Sequence, residues 1–193
     1  MGTGTPVNPG DEITAEKMNL KLETVDLTDL PNGTLVKVSD VDVSSNTTTV
    51  SFTGLDINAD GFYLLKGTVK NATSDATDLY LYFNGDTTNT NYYRQQFYAN
   101  GSNIGYNRVN APNFINVAGS GESSFDVSIF RTDTGYCFAH LFCTMNKASN
   151  VAILLRTLST ATTHTNITQI DLTASVTDAI AAGSQFVLYK VSI

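Results

Sequence analysis

The side chains of this chain best suited to acid–base, nucleophilic or soft-metal chemistry at neutral pH are two histidines, His140 and His164, and two cysteines, Cys137 and Cys143. Both cysteines lie in Tyr136–Lys147, which reads as one strand. Six residues of strand span roughly 20 Å, well beyond the Cα separation of about 7 Å that a disulfide allows. Their even spacing puts both thiols on one face, where they would pack as small buried groups. His140 lies three residues from each and so falls on the opposite face, which argues against a shared metal. His164 sits in the Thr-rich stretch 159–168, which reads as an exposed loop. No G-x-S-x-G turn is present to present a serine nucleophile. The loop Gly119-Ser120-Gly121-Glu122 is followed by no helix whose N-terminus could hold a phosphate. The expectation is a protein that is not an enzyme and uses no cofactor.

Two constellations suggest binding instead. Asp56-Ile57-Asn58-Ala59-Asp60-Gly61 matches the opening D-x-N-x-D-G of a calcium loop. The twelfth position, where a bidentate Glu belongs, is Gly67. The competing reading is a turn between two strands, in which Asp56, Asn58 and Asp60 bond local backbone. The segment Asn89–Asn113 concentrates Tyr92, Tyr93, Tyr98 and Tyr106 among Asn91, Asn100, Asn103, Asn107 and Asn110. Planar rings can stack on sugar faces and amides can bond hydroxyls, so glycan contact is one reading. Packing or a subunit interface is the other.

The elements that must position these residues are strands. The chain has 193 residues, 41% of them hydrophobic and only 15% charged, against about a quarter charged in ordinary soluble domains. Thr, Asn and Ser together supply sixty residues, a mixture that favours strands joined by many turns. About a dozen short runs are expected: 35–38, 49–53, 61–71, 78–84, 92–98, 104–109, 113–117, 124–131, 136–147, 151–158, 167–174 and 186–191. In the third run Phe62, Leu64, Gly67 and Val69 are assigned to one face, with Tyr63 and Leu65 on the other. In the fourth, Leu79, Leu81 and Phe83 oppose Tyr80 and Tyr82. Asp178–Ala182 is read as one helical turn. This spacing predicts an all-β, antiparallel β-sandwich or jelly roll over residues 31–193.

Residues 1–30 read as an anchoring arm with one short helix, in which Thr14 is the N-cap, Ile13 and Met18 form a hydrophobic staple, and Met18, Leu22 and Val25 form the apolar stripe. A helix of about ten residues is marginal alone and needs a surface to pack on: its own domain, or, the favoured reading, a symmetry mate or a larger scaffold. The net charge of −7 disfavours nucleic acid and anionic lipid as partners. No apolar run is long enough to span a bilayer. Nor does the N-terminus carry the basic and apolar stretches of a secretory signal, so synthesis in the cytosol is expected.

Read in order, these landmarks resemble a family. Asn8-Pro9-Gly10-Asp11-Glu12-Ile13-Thr14-Ala15-Glu16-Lys17-Met18-Asn19 resembles the N-terminal segment of many tailed-bacteriophage appendage proteins. Gly54-Leu55-Asp56-x-x-x-Asp60-Gly61-x-Tyr63, then Tyr82-Phe83-Asn84-Gly85-Asp86, then Ala182-Gly183-Ser184-Gln185-Phe186-Val187-Leu188-Tyr189-Lys190 are similar to a β-domain recurrent in small phage virion proteins. The resemblance implies a β-sandwich, usually a homotrimer, on the virion surface: a capsid decoration protein, a head fibre or a compact tail-side piece. Its partners would be other capsid or tail proteins, to which the N-terminal arm anchors it. The alternative function is a tail adhesin that attaches to host surface glycans through its Tyr/Asn-rich loops.

Overall fold

The computed structural model of the chain describes residues 33–100, 103–147 and 150–191. The anchoring residues Ile13, Met18, Leu22 and Val25 lie outside the described residues. Within them run β1 (Leu35–Asp42), β2 (Thr49–Thr53), α1 (Ile57–Asp60), β3 (Phe62–Lys70), β4 (Thr77–Phe83), β5 (Tyr92–Asn100), β6 (Asn103–Val109), β7 (Asn113–Val117), β8 (Glu122–Arg131), β9 (Cys137–Lys147), β10 (Asn150–Thr160), β11 (Gln169–Ala174) and β12 (Gln185–Val191). The strands fall on the runs that alternation marks. The clearest extension is β1, which continues past Val38 through a bulge between Lys37 and Ser39.

The strands form two antiparallel sheets packed as a sandwich. One has eight strands in the order β1-β12-β3-β8-β9-β10-β5-β6, the other four in the order β2-β11-β4-β7. Period-2 alternation sends Leu65, Val127, Ile129, Leu141, Leu154 and Leu188 inward from the large sheet. Phe52, Leu79, Leu81, Phe83, Phe114 and Leu172 meet them from the small one. In β3 the faces differ from the sequence assignment: Tyr63, Leu65 and Val69 are buried together while Phe62 is exposed. Residues of one parity must share a face, so Gly67 and Val69 join Tyr63 and Leu65. Gly67 itself is explained by packing. A Cβ there would lie 2.7 Å from the Phe125 ring and 2.8 Å from the Gln185 carbonyl oxygen. Its absence lets Phe125 and Phe186 close over the strand with ring centroids 6.0 Å apart.

Asp56–Gly61 is a turn between β2 and β3, wound as a capped single helical turn: Asp56 Oδ1 accepts from the Asn58 and Ala59 amides, and Gly61 leaves the turn at φ 75°. Asp178–Ala182 is not helical. Asp178 has φ 55° and its amide donates to Thr48 Oγ1, 130 residues away in sequence, at 2.9 Å, so a tertiary bond and a left-handed residue hold a turn in place of a helix.

Candidate functional site

The Tyr/Asn-rich segment folds into the hairpin of β5 and β6 at one edge of the large sheet. Adjacent strand residues point to opposite faces, so its four tyrosines do not form one surface. Tyr92 is fully buried and packs edge-on to Tyr82 with centroids 5.8 Å apart. Its hydroxyl donates to the Asp86 carbonyl at 2.8 Å and accepts from the Phe83 amide at 3.1 Å. Burial raises its pKa, and no ligand can reach it; the glycan reading of Tyr92 is overturned by its packing role. Tyr93 and Tyr106 stand on the outer face. Tyr98 faces inward, directly opposite Gly105, where a Cβ would strike its ring.

The outer face of β9, β10, β5 and β6 carries a row of apolar side chains in cross-strand register: Phe142, Leu155, Phe97 and Tyr106. Ile153 and Ile104 extend it by the next row. All six are exposed, Tyr106 at 83% and Ile104 at 72%. Gln95, Phe97, Tyr106, His140, Leu155 and Thr157 line a shallow groove of about 530 Å³ there. Among the described residues no carboxylate stands on this face of the four strands; its charged group is Arg108, opposite Gln95. His140 lies here too, edge-on to Phe130 at 5.1 Å, on the opposite face from Cys137 and Cys143. Those thiols are buried and free, and burial pushes them up to about 11 and about 12, which leaves them protonated and unreactive.

The inner face of the same strands holds two buried arginines. Arg94 of β5 is 4% exposed and Arg156 of β10 is 5% exposed. Nη1 of both donates to the Asn113 carbonyl, at 2.8 Å and 3.2 Å. Arg156 also bonds Gln96 Oε1 at 3.0 Å and Asn116 Oδ1. Among the described residues neither has a carboxylate within 4.0 Å. The nearest acid in the network, Asp78, instead accepts from the side-chain amides of Asn113 and Asn116. Burial, and then the charge of Arg94, pulls Arg156 down to about 9. Beside Arg156 lies a cavity of about 170 Å³ that includes Gln96, Tyr98, Asn100, Asn116, Met145 and Leu154 in its lining. A wider cleft between the sheets shares Asn100, Asn116 and Met145 with it. Sequence reasoning missed Arg94 and Arg156; at Arg94 the signal was its parity with Tyr92, whereas Arg156 follows the apolar run Val151–Leu155 and carries no parity signal.

The remaining sequence candidates are dispersed. Asp60 Oδ2 accepts from the Tyr63 hydroxyl at 2.6 Å and its Oδ1 from Lys190 Nζ at 2.7 Å. Asn58 Oδ1 accepts from Arg131 Nη1 at 3.2 Å, and Asp56 Oδ1 takes up amides. Asp56 Oδ1, Asn58 Oδ1 and both Asp60 oxygens are each taken by different donors, so the three side chains do not converge as calcium ligands. His164 is half-buried rather than freely exposed. Its carbonyl accepts from Arg131 Nε at 2.6 Å, its Nε2 is buried without a partner, and burial lowers its pKa.

Comparison of the chain with protein-family models, with curated proteins and with solved structures finds no match.

Proposed function

We propose that this protein is a surface appendage of a tailed-bacteriophage particle, held there by its N-terminal arm and assembled from identical copies through the outer face of β9, β10, β5 and β6. The carrying observation is that face. Six large apolar side chains stand exposed in adjacent rows, with no carboxylate among the described residues of those four strands; the acid beside them, Asp126 of β8 opposite Phe142, is paired with Lys66. They amount to roughly 600 Å² of apolar surface, if a full aromatic side chain presents about 150–250 Å². With a rim of Gln95, Thr157, Thr144 and His140 the face approaches the roughly 800 Å² per partner of a stable interface. Two chains of net charge −7 repel one another, and strands that carry no acid on this face, bordered by an Asp126 already paired with Lys66, let copies meet at low electrostatic cost. Three copies with this face turned to a common axis would hide β6, whose Ile104 and Tyr106 otherwise leave an unprotected sheet edge. The ordered resemblance of the arm and of the three β-domain motifs to phage appendage proteins supports placing that assembly on a virion.

Light scattering tests the assembly: the full chain is expected to have the mass of a trimer at micromolar concentration. The double variant Phe97→Ser, Tyr106→Ser is expected to be a monomer with an unchanged circular-dichroism spectrum. A monomeric wild-type chain would overturn the role of this face. Deletion of residues 3–25 is expected to leave a folded trimer that is missing from purified particles; particles that still incorporate it would overturn the anchor.

A further inference from the structure

We propose that the cleft between Tyr98 and Arg156 binds a saccharide bearing a carboxylate. Two guanidinium groups share one carbonyl oxygen inside the sandwich, so they are held close as like charges. A buried cation normally has a carboxylate against it, because removal from water costs several kcal/mol that neutral acceptors recover only in part. Here, among the described residues, every bond to Arg94 and Arg156 comes from a neutral oxygen: Asn113 O, Gln96 Oε1 and Asn116 Oδ1. Arg94 Nε and Asn113 Oδ1 are buried and have no partner among the described residues. The network is short of one negative charge.

The space beside it suits the group that would supply that charge. The 170 Å³ cavity touches Arg156 and is the size of a single sugar ring. A planar guanidinium matches a carboxylate through two parallel N–H···O bonds. Gln96, Asn100 and Asn116 place amides around the same space; Gln96 and Asn116 already spend their oxygens on Arg156 and Asn116 one N–H on Asp78, which leaves the Gln96 amide hydrogens and the Asn100 amide to meet ring hydroxyls. Tyr98, 36% exposed, gives the cavity an aromatic wall against which the apolar side of a sugar can lie. The depressed pKa of Arg156 has the same origin, since an anion in the cleft would return it toward the usual guanidinium range. This inference rests on the inner face alone and is independent of the assembly reading, which uses the outer one.

Met145 lines the cavity, and the other methionines, Met1 and Met18, lie in the N-terminal arm. Methyl-labelled methionine therefore reports on the site. On titrating the full chain with glucuronate, a saturable shift of the Met145 methyl signal is expected, with no change at Met18. Glucose and the methyl ester of glucuronate, which lack the charge, are expected to bind at least tenfold more weakly, and Arg156→Gln is expected to abolish the difference. The wild-type comparison of acid with ester stands whether or not that variant folds. Equal binding of ester and acid would overturn the proposal, as would no saturable shift. Inorganic phosphate binding as tightly as glucuronate would overturn it too, by making the cleft a site for any anion.

Discussion

Two corners of the sandwich bury polar side chains, and they satisfy them by different rules. Where β3 begins, Lys190 Nζ lies 2.7 Å from Asp60, the Tyr63 hydroxyl donates to the same carboxylate, and the Asp56 amide donates back to Tyr63. Charge meets opposite charge, and each donor has an acceptor. Where β5 and β10 face β7, two cations share neutral oxygens, and a buried guanidinium nitrogen has no acceptor. The first corner closes an end of the fold and leaves nothing to bind. The second keeps an unmet electrostatic demand next to an open cavity. An unbalanced polar cluster beside space is a better pointer to function than a balanced one, however conspicuous its motif. The calcium-like string Asp56–Gly61 belongs to the balanced corner.

Removing one carboxylate from each corner tests that contrast most strongly. Asp78→Ala takes away the one acid in the arginine network and strands the side-chain amides of Asn113 and Asn116. A loss of about 3 kcal/mol is expected from the urea midpoint. Asp60→Ala frees a Lys190 side chain that is already 39% exposed and can recover water. The expected loss there is about 1–2 kcal/mol. Equal losses would mean that the two corners are built alike.

Removing a cation should give opposite signs. Arg94→Met deletes a like charge beside Arg156, while the Asn113 carbonyl keeps the Arg156 bond. The variant is expected to be more stable than wild type by about 1 kcal/mol, as when buried charges are replaced by apolar groups of similar volume. Lys190→Met leaves Asp60 without its cation and is expected to cost about 1 kcal/mol. A destabilised Arg94→Met would show that the arginine pair is structural.

The contrast was only half legible in the sequence. Alternation in Asp78–Asn84 put Leu79, Leu81 and Phe83 on one face, and the structure buries all three fully while Tyr82 on the other face is 5% exposed, so one strand carries its own evidence of which residues share a face. Tyr92-Tyr93 shows where this ends: period 2 says that one ring is inside and the other out, but only the packing partners Tyr82 and Phe83 decide which. Arg156 follows the unbroken apolar run Val151–Leu155, which has no alternation to assign a face, so its burial could not be read. The convergence of Arg94, Arg156 and Asn113 depends further on β7 pairing with β4 in the smaller sheet, a non-local choice that no spacing encodes. The apolar outer row was hidden for the same reason: Phe97, Tyr106, Phe142 and Leu155 become neighbours only through the registers of three strand pairs.

The smallest expected effect separates the corners by pH. His164 lies beside the Asp56–Gly61 turn, where Arg131 Nε donates to its carbonyl, Asn84 Nδ2 lies 3.4 Å from Nδ1, and Nε2 is buried with no partner among the described residues. Burial lowers its pKa; Asp86 opposes this and Arg131 adds to it. A histidine whose pKa is lower folded than unfolded binds fewer protons in the native state. Its neutral form therefore supports stability above the unfolded pKa of about 6.5, and that support is lost as pH falls below it. The urea midpoint is expected to drop slightly between about pH 7 and pH 5 in the wild type. In His164→Gln the same interval should be flat. The arginine corner holds no histidine among the described residues, so Arg94→Met should keep the wild-type slope while shifting the whole curve upward. A slope that vanished in Arg94→Met would instead tie the two corners into one electrostatic unit.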